Sequence, residues 1–538
     1  MKKQFILFSM IAALTLSGCA VNVNINDDKG GNEQNNSASE NSNNDSGENS
    51  SEQSSNASSA NNGSSRSSGS SRSSSSARSS SSSSSSSSFS WSDPYVPPEE
   101  QTVPGDNFTI NIPADLSMMS PNCKKYIDDM RAQQRKLKAE FGENADYYIN
   151  DLYGESGVDI TKGIPTGSNG GYRPANHQSE YLDAVDARWE DGEKSDENKG
   201  INISFTPSAA LQDQTYTVTY GKQANLSDGV SFNTTQTTVN LKNLLVNQKY
   251  YFKVEANGQS SEITNFTTGD YPRWIDARPM FNVRDMGGYM TDSGRRVKQG
   301  LVFRGGEITP AVNWKSGSSY TGDVGGRYTG SNGQMQDGHI TTQTNASKEV
   351  FRNIVFKNSA GSVSGLEIDL RSSSERAPSG QSYTACGFAN GSEIGYQLYS
   401  ISSYANGLNN NKSLIKQVFD NFANVDTKPV FYHCYGGADR TGTIGFLLGA
   451  VLGMSYTDLV IDFELTSYSS NPSRNYRSHL RNGPWNDWPA LLNTLKNSYG
   501  FTSSKTIKQA AEDYLKNQCN VTQQTINTIR NIMLEPAE

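Results

Sequence analysis

The chain has 538 residues and a formal net charge of −8, so no global field draws nucleic acid or other polyanions to it, and any anion it binds is held locally. Past a polar N-terminal region there is length for two or three domains of ordinary size. Beyond the first residues no apolar stretch is long enough to span a bilayer, which takes roughly 20 residues.

The chain opens on MKKQFILFSMIAALTLSGCA: two lysines, an apolar run, then small residues up to Cys19. This is the layout of a secretory leader, with an apolar run of about 12 residues. The ending LSGC, directly after that run, resembles the lipobox of bacterial lipoproteins. The resemblance implies cleavage before Cys19, lipid on its thiol, and a membrane-anchored location on the extracytoplasmic face; the other outcome is an ordinary cleaved leader and a free secreted protein. Residues 20–104 are Ser, Asn and Gly with scattered charges, including a serine run ending at Ser88. Such a stretch buries too little apolar surface to offset its ordering entropy and is predicted to be a disordered tether, with an r.m.s. span on the order of 50 Å. Its arginines resemble arginine-serine tracts that bind RNA, but an exported chain meets little RNA, and no nucleic-acid partner is expected.

Residues 105–171 read as a small helical or irregular segment: NCKKYIDDMRAQQRKLKAEFG carries strong helix formers and a closing glycine. From 172 to 269 the texture changes to strands that alternate apolar and polar residues between turn signals, among them INISFTPS, QTYTVTYG and KYYFKVEA, the spacing of a small β-sandwich. LLVNQKYYFKV, with Leu244 six residues before Tyr250, is similar to the tyrosine corner of fibronectin type III domains. The departure is on the second strand, where that family often has Trp and this chain has Phe205. A spacer or platform packed on the next domain is the expected role. Besides Cys19 there are Cys123, Cys386, Cys434 and Cys519. In an oxidising compartment a retained thiol invites a reason; two of Cys123, Cys386 and Cys519 are able to pair, and sequence does not say which.

The chemistry is concentrated in PVFYHCYGGADRTGTIGFLLGAVLGM. An apolar approach reads as a buried strand, an apolar helical run follows Arg440, and a glycine-bearing loop lies between. Strand, small-residue loop and helix aim backbone N–H groups at an anion. A thiolate at Cys434, stabilised by those donors, is a nucleophile. Gly436 and Gly437 let the backbone curl, and Arg440 offers a planar fork for two phosphate oxygens.

Cys434 and Arg440 form the C-x5-R signature of cysteine-dependent phosphatases, with His433 before and Thr441 after. FNVRDMGGY at 281–289, LVFRGGE at 301–307, IDLRSSSERA at 368–377 and DFELTSYS at 462–469 follow in order. Together they resemble the bacterial tyrosine phosphatase family with an N-F-R-D-x-G-G motif and an H-C-x-x-G-x-D-R-T-G loop. The resemblance covers residues 270–538, implies an α/β domain with a central, mainly parallel sheet, and gives the stretch NWKSGSSYTGDVGGRYTGSNGQMQDG no counterpart. It implies a phosphomonoester or phosphorylated-peptide substrate, a cysteinyl-phosphate on Cys434, and no metal or other cofactor. Tyr435, Gly436, Gly437, Ala438 and Thr441 would bind the phosphate. Asp439 is the first candidate for general acid and Asp369 the second. His433 is expected to tune the loop, Asp369 and Arg371 to buttress it, and Arg284 and Asp285 to serve as scaffold beside a turn at Gly287 and Gly288. His177, His339 and His479 are given no role. Ala438 stands where phosphoinositide-acting members of the wider group often have Lys, which favours phosphotyrosine peptides over phosphoinositides or inositol polyphosphates. A surface binder on a catalytically dead fold is the remaining alternative. The oligomeric state is not legible.

Overall fold

The structure, a computed structural model, describes residues 98–141, 164–165, 172–173, 198–278, 280–307, 327–329, 335–337, 345–372, 394–469 and 487–537. The leader, Cys19, the tether up to residue 97, Cys386 and the three unassigned histidines lie outside the described residues. Among the described residues no helix is long and apolar enough to cross a membrane.

The first body is built from two antiparallel sheets. One has the order β1 (Gln101–Val103), β2 (Phe108–Ile112), β3 (Ile201–Pro207), β6 (Thr238–Leu241). The other runs β8 (Gln259–Ser260), β7 (Lys249–Ala256), β4 (Tyr216–Gly221), β5 (Val230–Thr234), with β9 (Thr264–Thr267) also on β7. Alternate residues point inward, as strand geometry requires: Ile201, Ile203 and Phe205 from one sheet meet Tyr250, Phe252 and Val254 from the other in a single core. Phe205 fills its position with two partners, lying edge-on to Tyr216 at 5.0 Å and to Phe108 at 6.1 Å. The corner before β7 closes with the Leu245 amide donating to the Tyr250 hydroxyl at 3.0 Å, while Leu244 sits in the core.

Two expected boundaries move. β2 pairs with β3, Ile110 opposite Phe205, and β1 pairs with β2, so the sheets take in residues expected to be tether end and helical segment. The pairing is invisible locally because the partner strands lie far apart in sequence. The helix α1 (Pro121–Phe141) is therefore an insertion between two neighbouring strands of one sheet. Proline opens it at the one helical position where a missing N–H costs nothing. Its N-terminal end does not pack into the sandwich core; Cys123, Tyr126 and Ile127 join Tyr271, Trp274, Ile461, Leu465 and Tyr468 in a separate cluster.

The second body has a five-stranded sheet of order β10 (Arg284–Asp285), β11 (Val302–Gly305), β14 (Val430–His433), β12 (Gly365–Asp369), β13 (Ile394–Leu398). All pairs are parallel except β10 with β11 at the edge. β11, β12 and β14 are buried at every residue, as strands covered on both faces are. The helices of this body include α2 (Tyr404–Asn410), α3 (Lys412–Phe422), α4 (Asp439–Leu452), α5 (Tyr456–Glu464) and α6 (Asp487–Tyr499). α4 is buried at every residue from Thr441 to Leu452, which explains why its sequence is apolar all round rather than on one stripe.

Candidate active site

Cys434 follows the last residue of β14, the central strand, at the carboxyl edge of the parallel sheet, where open α/β sheets bind ligands. The loop 434–438 leads straight into α4. Ala438 occupies the N-cap and supplies no capping side chain, so the first turn of a buried helix presents its amides to whatever enters the loop. Cys434 is 3% exposed, whereas Tyr435, Asp439 and Arg440 are half-buried at the rim. Cys434 thus lies deeper than these three residues.

The loop is held from behind by its carbonyls. Tyr435 O accepts from the Glu307 amide at 3.0 Å, Gly436 O from Asn282 Nδ2 at 2.9 Å, and Gly437 O from Arg304 Nη2 at 2.8 Å. In a trans peptide the C=O and the following N–H point opposite ways. Pinning three successive carbonyls to the scaffold therefore turns the amides of 436, 437 and 438 to the other side. Gly437 is at φ +68, and a Cβ there would lie 2.5 Å from the Gly305 carbonyl; both the conformation and the close approach require glycine.

Two of those donors, Arg304 directly and Asn282 through Arg284, are fixed by Asp462 on α5. Its carboxylate takes the Arg304 guanidinium on one oxygen and Arg284 Nε at 3.4 Å on the other, and its carbonyl accepts from Arg284 Nη2 at 2.8 Å. Arg284 also donates to Asn282 Oδ1, while Asn282 Nδ2 reaches Thr466 Oγ1 at 3.1 Å. Arg284 and Arg304 are fully buried. Burial, then the neighbouring Arg304 charge, pushes the Arg284 guanidinium down to about 10. Two cations share one carboxylate, so the shell behind the loop carries positive charge toward the anion site.

The other predicted residues fall around this core. His433 is buried with Nε2 2.9 Å from Glu367 Oε1 and Nδ1 3.2 Å from Cys434 O, so both ring nitrogens face oxygens and the ring fixes the strand–loop junction. Asp369 lies opposite His433 on β12 and takes Arg371 Nε and Nη2 at 3.0 and 2.9 Å, with Tyr396 Oη at 2.9 Å. Burial raises the Asp369 carboxyl, but the charges of His433 and Arg371 and the Arg371 bonds outweigh it and hold it at about 2. Arg371 Nη1 continues to Glu307 Oε2 at 2.6 Å, the residue whose amide holds Tyr435 O. Asp285 binds Arg273 Nη1 at 2.7 Å and the Gly287 and Gly300 amides, and burial pushes its carboxyl up. Thr441 is fully buried, and among the described residues its hydroxyl has no hydrogen-bond partner.

Asp439 opens α4, and its Oδ1 accepts from the Tyr404 hydroxyl. Sequence reasoning named neither Tyr404 nor Asn282, Arg304, Asp462, Thr466, Glu307 and Glu367 as functional. All but Tyr404 and Glu367 stand inside quoted motifs, so their positions were marked while their partners were not. No disulfide joins Cys123, Cys434 and Cys519; burial pushes the Cys519 thiol up to about 11. Among the described residues no group of three or more His, Cys, Asp or Glu is placed to hold a metal ion.

A buried thiol at the end of the central strand, a loop whose carbonyls are pinned from behind, and a helix N-terminus carrying Arg440 make up the arrangement found here. Residues 275–315 and 365–535 match the model of the tyrosine phosphatase family, which supports a tyrosine-phosphatase-type hydrolase. The matched stretches hold the Asn282, Arg304, Cys434 and Asp462 segments and leave out most of the stretch that resembles nothing in that family. A search of curated proteins found no match.

Proposed function

We propose that the chain is an exported, lipid-anchored protein tyrosine phosphatase that works through a cysteinyl-phosphate on Cys434. The observation that carries this reading is the pinning of three consecutive loop carbonyls by Glu307, Asn282 and Arg304, which orients the amides of 436–438 away from the scaffold. In the first step Cys434 Sγ attacks phosphorus in line, the bond to the leaving oxygen breaks, and that oxygen takes a proton from Asp439. In the second a water gives one of its own protons to the Asp439 carboxylate, attacks phosphorus, and releases the thiolate and inorganic phosphate. Arg440 and the amides of 436–438 hold the equatorial oxygens, as positioning and electrostatics suffice for a loose phosphoryl transition state.

Asp439 suits the acid because it is half-buried at the rim. Asp369, held ionised at about 2 and saturated by Arg371 and Tyr396, suits a buttress. The depth of Cys434 favours a long aryl phosphate over a short alkyl one, and Ala438 leaves the site without the extra cation that highly phosphorylated inositols favour. Anchoring through Cys19 is supported by the leader, the LSGC ending and the tether. Strand order and the Tyr250 corner support a fibronectin type III-like sandwich.

The test is turnover of phosphotyrosine peptides against phosphoinositides and inositol phosphates, with reductant and chelator, beside Cys434→Ser. Turnover of the peptides that the serine variant abolishes is expected. Better turnover of the lipid or inositol panel would transfer the proposal to that substrate class, and silence on both would leave a phosphate binder.

A further inference from the structure

We infer that Tyr404 is a positioning residue for acid catalysis, its phenol orienting Asp439 so that the acid proton sits on Oδ2; this rests on the reading of Cys434 and Asp439 above. Tyr404 grips the loop helix twice. Its hydroxyl donates to Asp439 Oδ1. Its backbone amide donates to Thr443 Oγ1 at 2.8 Å, and that hydroxyl donates to the Asp439 carbonyl at 2.9 Å. One residue thus fixes both the side chain and the backbone of Asp439.

The backbone of Tyr404 is at φ +51, a left-handed conformation that bulky residues avoid. Such strain is on the order of 1–3 kcal/mol and persists where surrounding contacts over-determine it, commonly at functional sites. Here the ring packs on Phe463 at 6.1 Å, next to the Asp462 that binds Arg284 and Arg304. Gly407, one turn along α2, lets that helix close on the site, since a Cβ there would stand 2.4 Å from the Ser402 carbonyl and 3.5 Å from Thr443.

A carboxylic acid accepts through its carbonyl oxygen and donates through its hydroxyl. With Oδ1 accepting from the phenol, Oδ2 carries the proton. As the Sγ–P bond forms and the P–O bond breaks, that proton passes from Oδ2 to the leaving oxygen. As the S–P bond breaks in the second step, Oδ2 takes a proton from the attacking water. The phenol keeps its own proton throughout.

The full chain is assayed as wild type, Tyr404→Phe, Asp439→Asn and the double variant, on 4-nitrophenyl phosphate and phenyl phosphate. The first has a leaving group that scarcely needs an acid, so its turnover reports an intact loop; phenylalanine keeps the ring against Phe463. For Tyr404→Phe the expected result is unchanged KM, kcat on 4-nitrophenyl phosphate within about threefold, and kcat on phenyl phosphate down by about ten- to hundredfold, a part of the effect of a general acid. Adding Tyr404→Phe to Asp439→Asn should cost nothing further. Equal losses on both substrates, or losses that add in the double variant, overturn the role of Tyr404 and leave the phosphatase reading standing. A wild-type chain that turns over neither substrate overturns that reading and this one with it.

Discussion

Gly437 carries two constraints at once, a left-handed φ of +68 and no room for a Cβ against the Gly305 carbonyl. Gly437→Ala should therefore push the loop off its scaffold and misdirect the amides, with kcat on a phosphotyrosine peptide falling by about 10²–10³, the scale of losing a preorganised oxyanion donor. Gly300 is the control: it shares a positive φ of +86 but has open space around its would-be Cβ. Gly300→Ala should lower stability by about 1–2 kcal/mol from the backbone alone and leave kcat in place. A kcat equally low in both variants would show that strain, rather than the approach to Gly305, is what the loop senses. Asp369 gives a pH prediction. Its folded-state carboxyl is held at about 2, below the ordinary 3.8, so its contribution is present above about pH 4 and is lost as pH falls toward 2. The loss is about 2 kcal/mol. Urea melts across that window should show the fall, and Asp369→Asn should flatten it while lowering stability at neutral pH, because the buried Arg371 would lose the carboxylate that takes two of its nitrogens.

At the scale of elements, α1 is the part whose role the chain hid. Its helical character is legible from NCKKYIDDMRAQQRKLKAEF, yet nothing local says that it stacks Tyr126 on Tyr468 at 5.6 Å and sends Arg131 to Asp458 at 3.1 Å and to the Asp270 carbonyl at 2.6 Å. The strand before it was unread for a related reason: Phe108–Ile112 is short, and its pairing with β3 is set by a shared core and not by any adjacent turn. The Cys434 loop was legible because its demands are local: a strand, a small-residue curl and a helix N-terminus are all within a dozen residues. The Asp462 hub was not, since its partners Arg284 and Arg304 are brought to it only by the sheet. α1 packs on α5 through Asp458 and Ile461, one turn and one residue before Asp462, and so braces the helix that carries the hub. Tyr126→Ala should cost about 3–5 kcal/mol, as removal of a buried aromatic does. Arg131→Ala should cost less and lower the melting temperature without changing KM. If Tyr126→Ala leaves the melting temperature unmoved, the helix is packing without bracing.

For the molecule as a whole, the contacts between the sandwich and the catalytic sheet are those of one folded body. Arg273, 5% exposed, donates to the Leu244 carbonyl at 3.1 Å and the Asn243 carbonyl at 2.9 Å, and on its other side to Asp285 at 2.7 Å. Gln299 and Val246 exchange two hydrogen bonds, at 2.8 and 2.9 Å, and Asn198 Nδ2 donates to the Trp274 carbonyl at 2.9 Å. A spacer would meet its neighbour through a smaller, wetter surface open to relative motion. Removing the sandwich and α1 would strip Arg273 of the Leu244 and Asn243 carbonyls, leaving Asp285, and expose Trp274, Ile461, Leu465 and Tyr468, which cluster against α1. A fragment of residues 270–538 should therefore be poorly soluble, bind a hydrophobic dye and show little turnover. The fragment 98–538 should unfold in one transition and keep the activity of the full chain. The discriminating measurement is calorimetry of the longer fragment beside kcat of the shorter one. Two separate transitions, together with full kcat in 270–538, would make the sandwich a passive spacer. One transition, with activity confined to the longer fragment, would make the phosphate loop a property of both bodies, because the helix inserted in the first braces the aspartate that holds the arginines of the second.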